Sequence, residues 1–171
     1  MKGEYNFEEI GNTVLIDAQK YIEAFAKTEN NKNIICFCIL YHIPVRIEYC
    51  ILDAVNKGII EDVVTWPFQS EEDEIHDFSR ELYNQLAEYR SFEGDLYAQY
   101  SQEKITKKEY DKWSLLNAEK YKNMLLEVVR KLDFSDLDKH PKFVFMVHAM
   151  NWSYTSWNET VPEEWIDFYF E

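Results

Sequence analysis

The segment IICFCILY, residues 34–41, decides the fold class because neither of its alternating faces carries a charged side chain. A second segment of the same kind is FVFMVHAM, residues 143–150. A strand without a polar face has to be covered on both sides. We therefore expect the two segments to form adjacent central strands of a covered sheet.

Helices are predicted on either side of these strands, where apolar residues recur every three or four positions. The three longer ones fall near residues 7–27, 70–90 and 107–132. Their starts carry capping signals, namely Ser70 before four acidic residues and Thr106 three residues before Glu109. Shorter helices are expected over 95–102 and from Thr160 onward.

The remaining segments leave alternatives open. Residues 45–57 alternate like a half-exposed strand, but Pro44 and Gly58 would equally suit the start and the end of a helix. Residues 59–66 are a candidate for a further strand. With 171 residues the chain is predicted to be a single domain, 1–171, of the α+β class, with a small, mainly antiparallel sheet packed by helices.

Acidic residues dominate the composition, with 32 Asp and Glu against 18 Lys and Arg and a formal net charge of −14. Such a charge repels phosphate backbones and anionic membranes, so we expect neither nucleic acid nor a membrane as partner. It favours a basic protein. The four isolated glycines cannot form a phosphate-binding loop, and the N-terminus lacks a signal sequence, which predicts a cytoplasmic protein without a nucleotide site.

Histidines and cysteines are the usual carriers of chemistry, and here their spacing is uninformative. No histidine pair has the spacing of a zinc site, so no metal or other cofactor is predicted. His148 on its apolar strand and His76 near Asp73 are the two histidines with any case for a role. Cys36, Cys38 and Cys50 are expected to be free thiols packed in the core. No catalytic residue is assigned.

Two surfaces are candidates for binding. The first is an acidic ridge on the predicted helix 70–90, in a stretch (70–100) with nine acidic and two basic residues. Helical spacing places four of its carboxylates on one flank: Glu74, Asp77, Glu81 and Glu88. The second is the aromatic segment 151–159, NWSYTSWNE, in which three rings alternate with small polar residues: Trp152, Tyr154 and Trp157. Exposed aromatic rings beside small polar groups are typical of binding hot spots, although the same rings would also serve to cap the core.

In size, charge and its tail NWSYTSWNETVPEEW, the chain resembles small uncharacterised bacterial proteins of the polymorphic-toxin immunity type. That resemblance implies an immunity protein or inhibitor that neutralises a basic toxin or enzyme, and it assigns no individual residue. Two alternatives stay open. One is a small enzyme with a histidine and carboxylate site near the aromatic segment, and the other is a structural or regulatory homodimer.

Overall fold

The computed structural model describes residues 6–42, 46–60, 62–70, 84, 86–149 and 160–170. Four strands form one sheet in the order β3-β2-β1-β4. They are β1 (Ile34–His42), β2 (Arg46–Asp53), β3 (Phe68–Gln69) and β4 (Lys139–Ala149). Strand β2 runs antiparallel to both β1 and β3, whereas β4 runs parallel to β1. The predicted α+β class with a small, mainly antiparallel sheet is confirmed, and the sheet is mixed because of the β1–β4 pair.

Strand β1 lies between β2 and β4, as its lack of charge predicts. Strand β4 is its direct neighbour, so the predicted adjacency is also correct. In the described part of the chain, however, β4 has β1 as its only strand partner, so it lies at the edge of the described sheet and not at its centre as predicted. The presence of Pro141 inside β4 fits that position, because a proline has no N–H to donate to a second neighbour.

Helices α1 (Phe7–Phe25), α2 (Ala87–Ser101) and α3 (Lys107–Lys131) account for most of the described helical residues, and a short α4 (Ile166–Phe170) lies near the C-terminus. Asn6 caps α1 by accepting a hydrogen bond from the Glu9 backbone N–H at 3.2 Å. The predicted capping box of α3 is present in both directions between Thr106 and Glu109. Helices α1 and α3 thus match the predicted segments to within two residues.

Helices α1 and α3 cover one face of the sheet, where they pack on Phe37, Ile39 and Tyr49. The opposite face is covered by the segment after β2 and by the C-terminal residues, which bury Trp66 and Tyr169. The sheet is therefore the middle of three layers, and this explains why β1 needs no polar face.

Within the ambiguous segment 45–57, the described residues form strand β2 from Arg46 to Asp53 and then enter a 3-10 turn, Ala54–Ile59. The candidate strand 59–66 is wrong, because these residues include a second short turn, Val63–Thr65, and strand β3 begins only at Phe68. Side chains favour the turns by bonding to nearby backbone. The Asp53 carboxylate accepts from the Asn56 N–H at 3.0 Å, and the Gln69 amide donates to the carbonyls of Val64 and Trp66.

The predicted helix 70–90 falls largely on residues 71–83, which lie outside the described part of the chain. Ser70 itself is buried and extends the β2–β3 pairing, since its N–H donates to the Tyr49 carbonyl at 2.9 Å. Helix α2 continues beyond residue 90 to Ser101, and so joins the end of this predicted helix to the separate one expected over 95–102.

Candidate functional site

The residues predicted to bind a partner fall mostly outside the described part of the chain. The binding candidates outside the description are Glu74, Asp77, Glu81, Trp152, Tyr154 and Trp157. His76, a candidate for a chemical role, also lies outside it. Glu88 lies on α2, and its side chain is likewise outside the description. The roles assigned to these residues stay predictions, and the described residues offer a different candidate.

A groove of about 350 Å³ runs along the outer edge of β4. It contacts three successive residues of that strand, Phe143, Val144 and Phe145. The two phenylalanines pack with the helix-covered core, whereas Val144 packs with the core on the opposite face. Because successive side chains of a strand point to opposite faces, a groove that reaches all three lies against the strand edge itself.

One wall of the groove is aromatic. The Phe134 ring stacks on Phe145 with centroids 6.0 Å apart and packs against Phe143 at 5.1 Å and Phe37 at 5.3 Å. Phe134 is only 8% exposed, whereas Phe143 and Phe145 are half-buried. The wall is therefore a rigid group of rings that is fixed to the core at one end and accessible at the other.

Polar contacts between distant segments fix the position of this wall. The Gln19 side chain exchanges two hydrogen bonds with the Asp133 backbone, and Asn31 accepts from the Asp138 N–H at 2.8 Å. The Asp138 carboxylate accepts from the Asn33 N–H at 3.1 Å. These bonds tie the segment before β4 to α1 and to the start of β1, and so they also favour the parallel β1–β4 register.

The second wall comes from the C-terminal segment, through Pro162 and Trp165. The buried Tyr169 attaches this segment to the sheet, because its hydroxyl donates to the carbonyls of Lys142 and Ile35. Burial raises the pKa of Tyr169, so the hydroxyl stays a donor at neutral pH.

Cations surround the neighbouring Phe168 ring. The ammonium groups of Lys142 and Lys57 lie 4.6 and 5.0 Å from its centroid, and the His140 ring stacks on it at 4.8 Å. Burial, together with the nearby Lys142, lowers the pKa of His140. An uncharged His140 is the form that suits a site already holding two lysines.

The rim of the groove carries one carboxylate and one ammonium group, Asp133 and Lys139. Hydrogen bonds from Ser135 lower the pKa of Asp133, and the charge of Lys139 lowers it further. The Asp133 side chain is therefore an anion at neutral pH. Lys139 lies over the Phe143 ring, with its ammonium 6.0 Å from the centroid.

Acidic residues outnumber basic ones in the two chain segments that line the groove. Residues 133–149 and 160–170 hold six acidic and two basic residues, and Lys57 adds a third cation beside Phe168. Helix α3 shows the reverse balance, with seven basic and four acidic residues over 107–131. The groove is thus in an acidic part of the molecule, and the basic helix covers a face of the sheet.

His148 lies on the sheet face opposite the helices. The strand register places Leu40 directly between Glu48 of β2 and His148 of β4. Burial lowers the pKa of His148, against the opposing effect of the negative Asp62. Its Nδ1 atom is buried and accepts no hydrogen bond from the residues that the structure describes. The His148 side chain is therefore half-buried and mainly uncharged at neutral pH.

The three cysteines are free and fully buried on the same sheet face, as predicted for core residues. Cys38 lies directly across from Cys50 on the antiparallel neighbour, with Met146 on its other side. Burial raises the pKa of the Cys36 and Cys38 thiols, which keeps both protonated and unreactive at neutral pH.

A partly exposed group of tyrosines where α2 meets α3 was not predicted. The rings of Tyr100 and Tyr110 stack with centroids 5.0 Å apart, and Tyr97 packs within 6.4 Å of both. Tyr97 is 60% exposed. The only signal in the sequence is the three-residue spacing of Tyr97 and Tyr100, which does not predict contact with the next helix.

The described residues contain no group of three or more side chains arranged to hold a metal ion. None of their helices has the length and apolar character needed to cross a membrane. Comparison with protein-family models, curated proteins and solved structures gave no match to this chain.

Proposed function

We propose that this protein is an acidic binding module that captures a basic protein and covers its cationic surface. The observation that carries the proposal is the uneven distribution of charge. The stretch 70–100 has a net charge of −7 and the segments 133–149 and 160–170 along the β4 groove hold six acids against two bases, while α3 has an excess of lysine and arginine. A basic partner is attracted to the first two regions and not to the third.

The partner that suits such a surface best is a toxin or enzyme with a cationic active site. Proteins that act on nucleic acids need positive charge to bind phosphates, and an acidic protein competes for the same surface. The groove adds what charge alone lacks, namely half-buried rings at Phe143 and Phe145 that supply contact area. Immunity protein or inhibitor is therefore the function we propose, in a bacterial cytoplasm.

The experiment is affinity capture from the source cells followed by measurement with the purified partner. We expect a partner with net positive charge whose association rate falls steeply as salt increases. One variant combines three charge reversals: Glu74→Lys, Asp77→Lys and Glu81→Lys. It changes the local charge by six units and should slow association at low salt.

A matched variant reverses three exposed carboxylates elsewhere: Glu8→Lys, Glu23→Lys and Glu29→Lys. It alters the net charge equally and should slow association less, because these residues are not in the acidic stretch. Equal slowing by both variants would show that only net charge matters. A captured partner that is acidic, or whose association does not depend on salt, would contradict the proposal.

A small enzyme is the second candidate, and one observation favours it. Glu48 is 4% exposed and shares a sheet face with His148, two strands away across Leu40. At the usual strand spacing their backbones are about 10 Å apart, a distance from which both side chains can reach one small ligand. A hydrolase screen of the protein and of His148→Gln would test this alternative, since only an activity lost in the variant supports it.

A further inference from the structure

The outer edge of β4 indicates how a partner binds. Within the described residues, β1 is the only strand paired with β4, and the groove runs beside Phe143, Val144 and Phe145. We propose that an extended segment of the basic partner lies in this groove and pairs with β4 as an added strand. This inference rests on the proposed function and specifies its mode of binding.

The position of the groove favours an extended backbone as the occupant. A ligand there contacts the edge of a strand, where peptide groups that do not face β1 point outward. Its two walls lie on opposite faces of the sheet, with the Phe143 and Phe145 rings on one and Pro162 with Trp165 on the other. Alternate side chains of an added strand point to opposite faces and so reach both walls.

The charges around the groove favour basic side chains on that strand. Asp133 lies at the rim, and the neighbouring acids Asp136, Asp138, Glu163 and Glu164 are all exposed. These carboxylates attract an arginine or lysine of the added strand, and an arginine also stacks well on a tryptophan ring such as that of the half-buried Trp165. The segment we infer thus alternates basic with aromatic or large aliphatic residues.

The same charges disfavour a second copy of this chain as the occupant. Pairing two β4 edges would bring the acidic surroundings of both copies together. A basic segment from another protein avoids the repulsion.

The first test uses a blocked heptapeptide that alternates arginine with phenylalanine and a counterpart that alternates glutamate with phenylalanine. Calorimetric titration should give a Kd for the basic peptide at least about tenfold lower than for the acidic one. Phe143→Ala and Trp165→Ala should each weaken the basic peptide several-fold. Tyr97→Ala is the control, because it removes an exposed ring far from β4 in sequence and should have no effect.

The second test separates strand pairing from simple contact of side chains. Every second amide of an added strand bonds to its neighbour, so N-methylation of alternate residues in one register should weaken binding at least about tenfold. Methylation in the other register should have little effect. Equal losses in both registers would overturn strand addition.

Failure of this inference can be told apart from failure of the proposed function. A captured basic partner that binds Phe143→Ala and Trp165→Ala as well as it binds the original protein would overturn the β4 mode and leave the function intact. The absence of any salt-dependent basic partner would overturn both. Dimers in light scattering that Phe143→Lys dissociates would make a second copy the occupant and so overturn the inference.

Discussion

Strands β1 and β4 come from two segments that look alike in sequence and have different surroundings in the structure. Both lack full charges over their central residues. Every residue of β1 from Ile34 to Tyr41 is at most 4% exposed, whereas β4 includes exposed and half-buried side chains as well as buried ones. The lack of charged residues indicates that both faces of a strand are covered, but it does not indicate whether the strand has one neighbouring strand or two.

The largest effect is expected from truncating matched phenylalanines on the two strands. Phe37 and Phe145 lie side by side on the same face, and only Phe37 is fully buried. Phe37→Ala should lower the free energy of unfolding by about 3–5 kcal/mol, the usual cost of such a cavity. Phe145→Ala should cost about half as much, measured by urea unfolding. Equal costs would show that Phe145 is buried as fully as Phe37.

A smaller loss is expected from Tyr49→Phe, which removes a hydroxyl from the helix-covered face. That hydroxyl donates to the buried Asp17 carboxylate at 2.8 Å. A hydrogen bond to a charged group contributes about 1.5–3 kcal/mol, so urea unfolding should show a loss in that range. Tyr97→Phe is the control, because its side chain is mainly exposed and should change stability very little. If Tyr49→Phe leaves the urea midpoint of unfolding unchanged, the hydrogen bond from Tyr49 to Asp17 does not stabilise the fold.

Thiol reactivity provides a further test of how completely the covered face is closed. All three cysteines are free and buried, so native protein should react with a thiol reagent only as fast as it unfolds. In denaturant all three should react at once. Fast labelling of Cys38 or Cys50 in the native state would show that this face is open.

The smallest effect expected is on the pH dependence of stability. Burial lowers the pKa of His148 in the folded protein, so as pH falls below about 6.5 the unfolded chain binds protons first. Above that pH His148 is uncharged in both the folded and the unfolded chain and does not affect the free energy of unfolding. As the pH decreases from there towards the lowered folded-state pKa of His148, the free energy of unfolding falls. His148→Gln should show a shallower loss between pH 7.5 and 5.5 in urea unfolding. An identical slope would mean that His148 is not desolvated.

Whether a feature of the fold could be predicted from the sequence depends on how far apart in the chain the interacting residues are. Features that depend on local sequence patterns are predicted correctly. They are helices α1 and α3, the capping box at Thr106 and the burial of the cysteines. The turns over 54–65 were missed because Asp53 and Gln69 bond to nearby backbone in ways that periodicity does not report. Local side-chain bonds of this kind compete with strand formation.

The groove was not predictable, because contacts between distant parts of the chain create it. Its walls come from Phe134, from β4 and from Trp165, and the bonds that position them join residues more than one hundred positions apart. The aromatic segment 151–159 that the sequence singled out lies between β4 and Trp165 along the chain and outside the described residues. The acidic ridge and that segment remain predictions.

The most direct test of strand addition is hydrogen exchange of residues 139–149 and 34–42 with and without the basic heptapeptide. In the free protein, β1 amides should exchange slowly and the outward-facing amides of β4 faster, because β1 has strand neighbours on both sides. Peptide at saturation should slow exchange in β4 and leave β1 unchanged. Saturation by the peptide without any slowing in β4 would contradict the account.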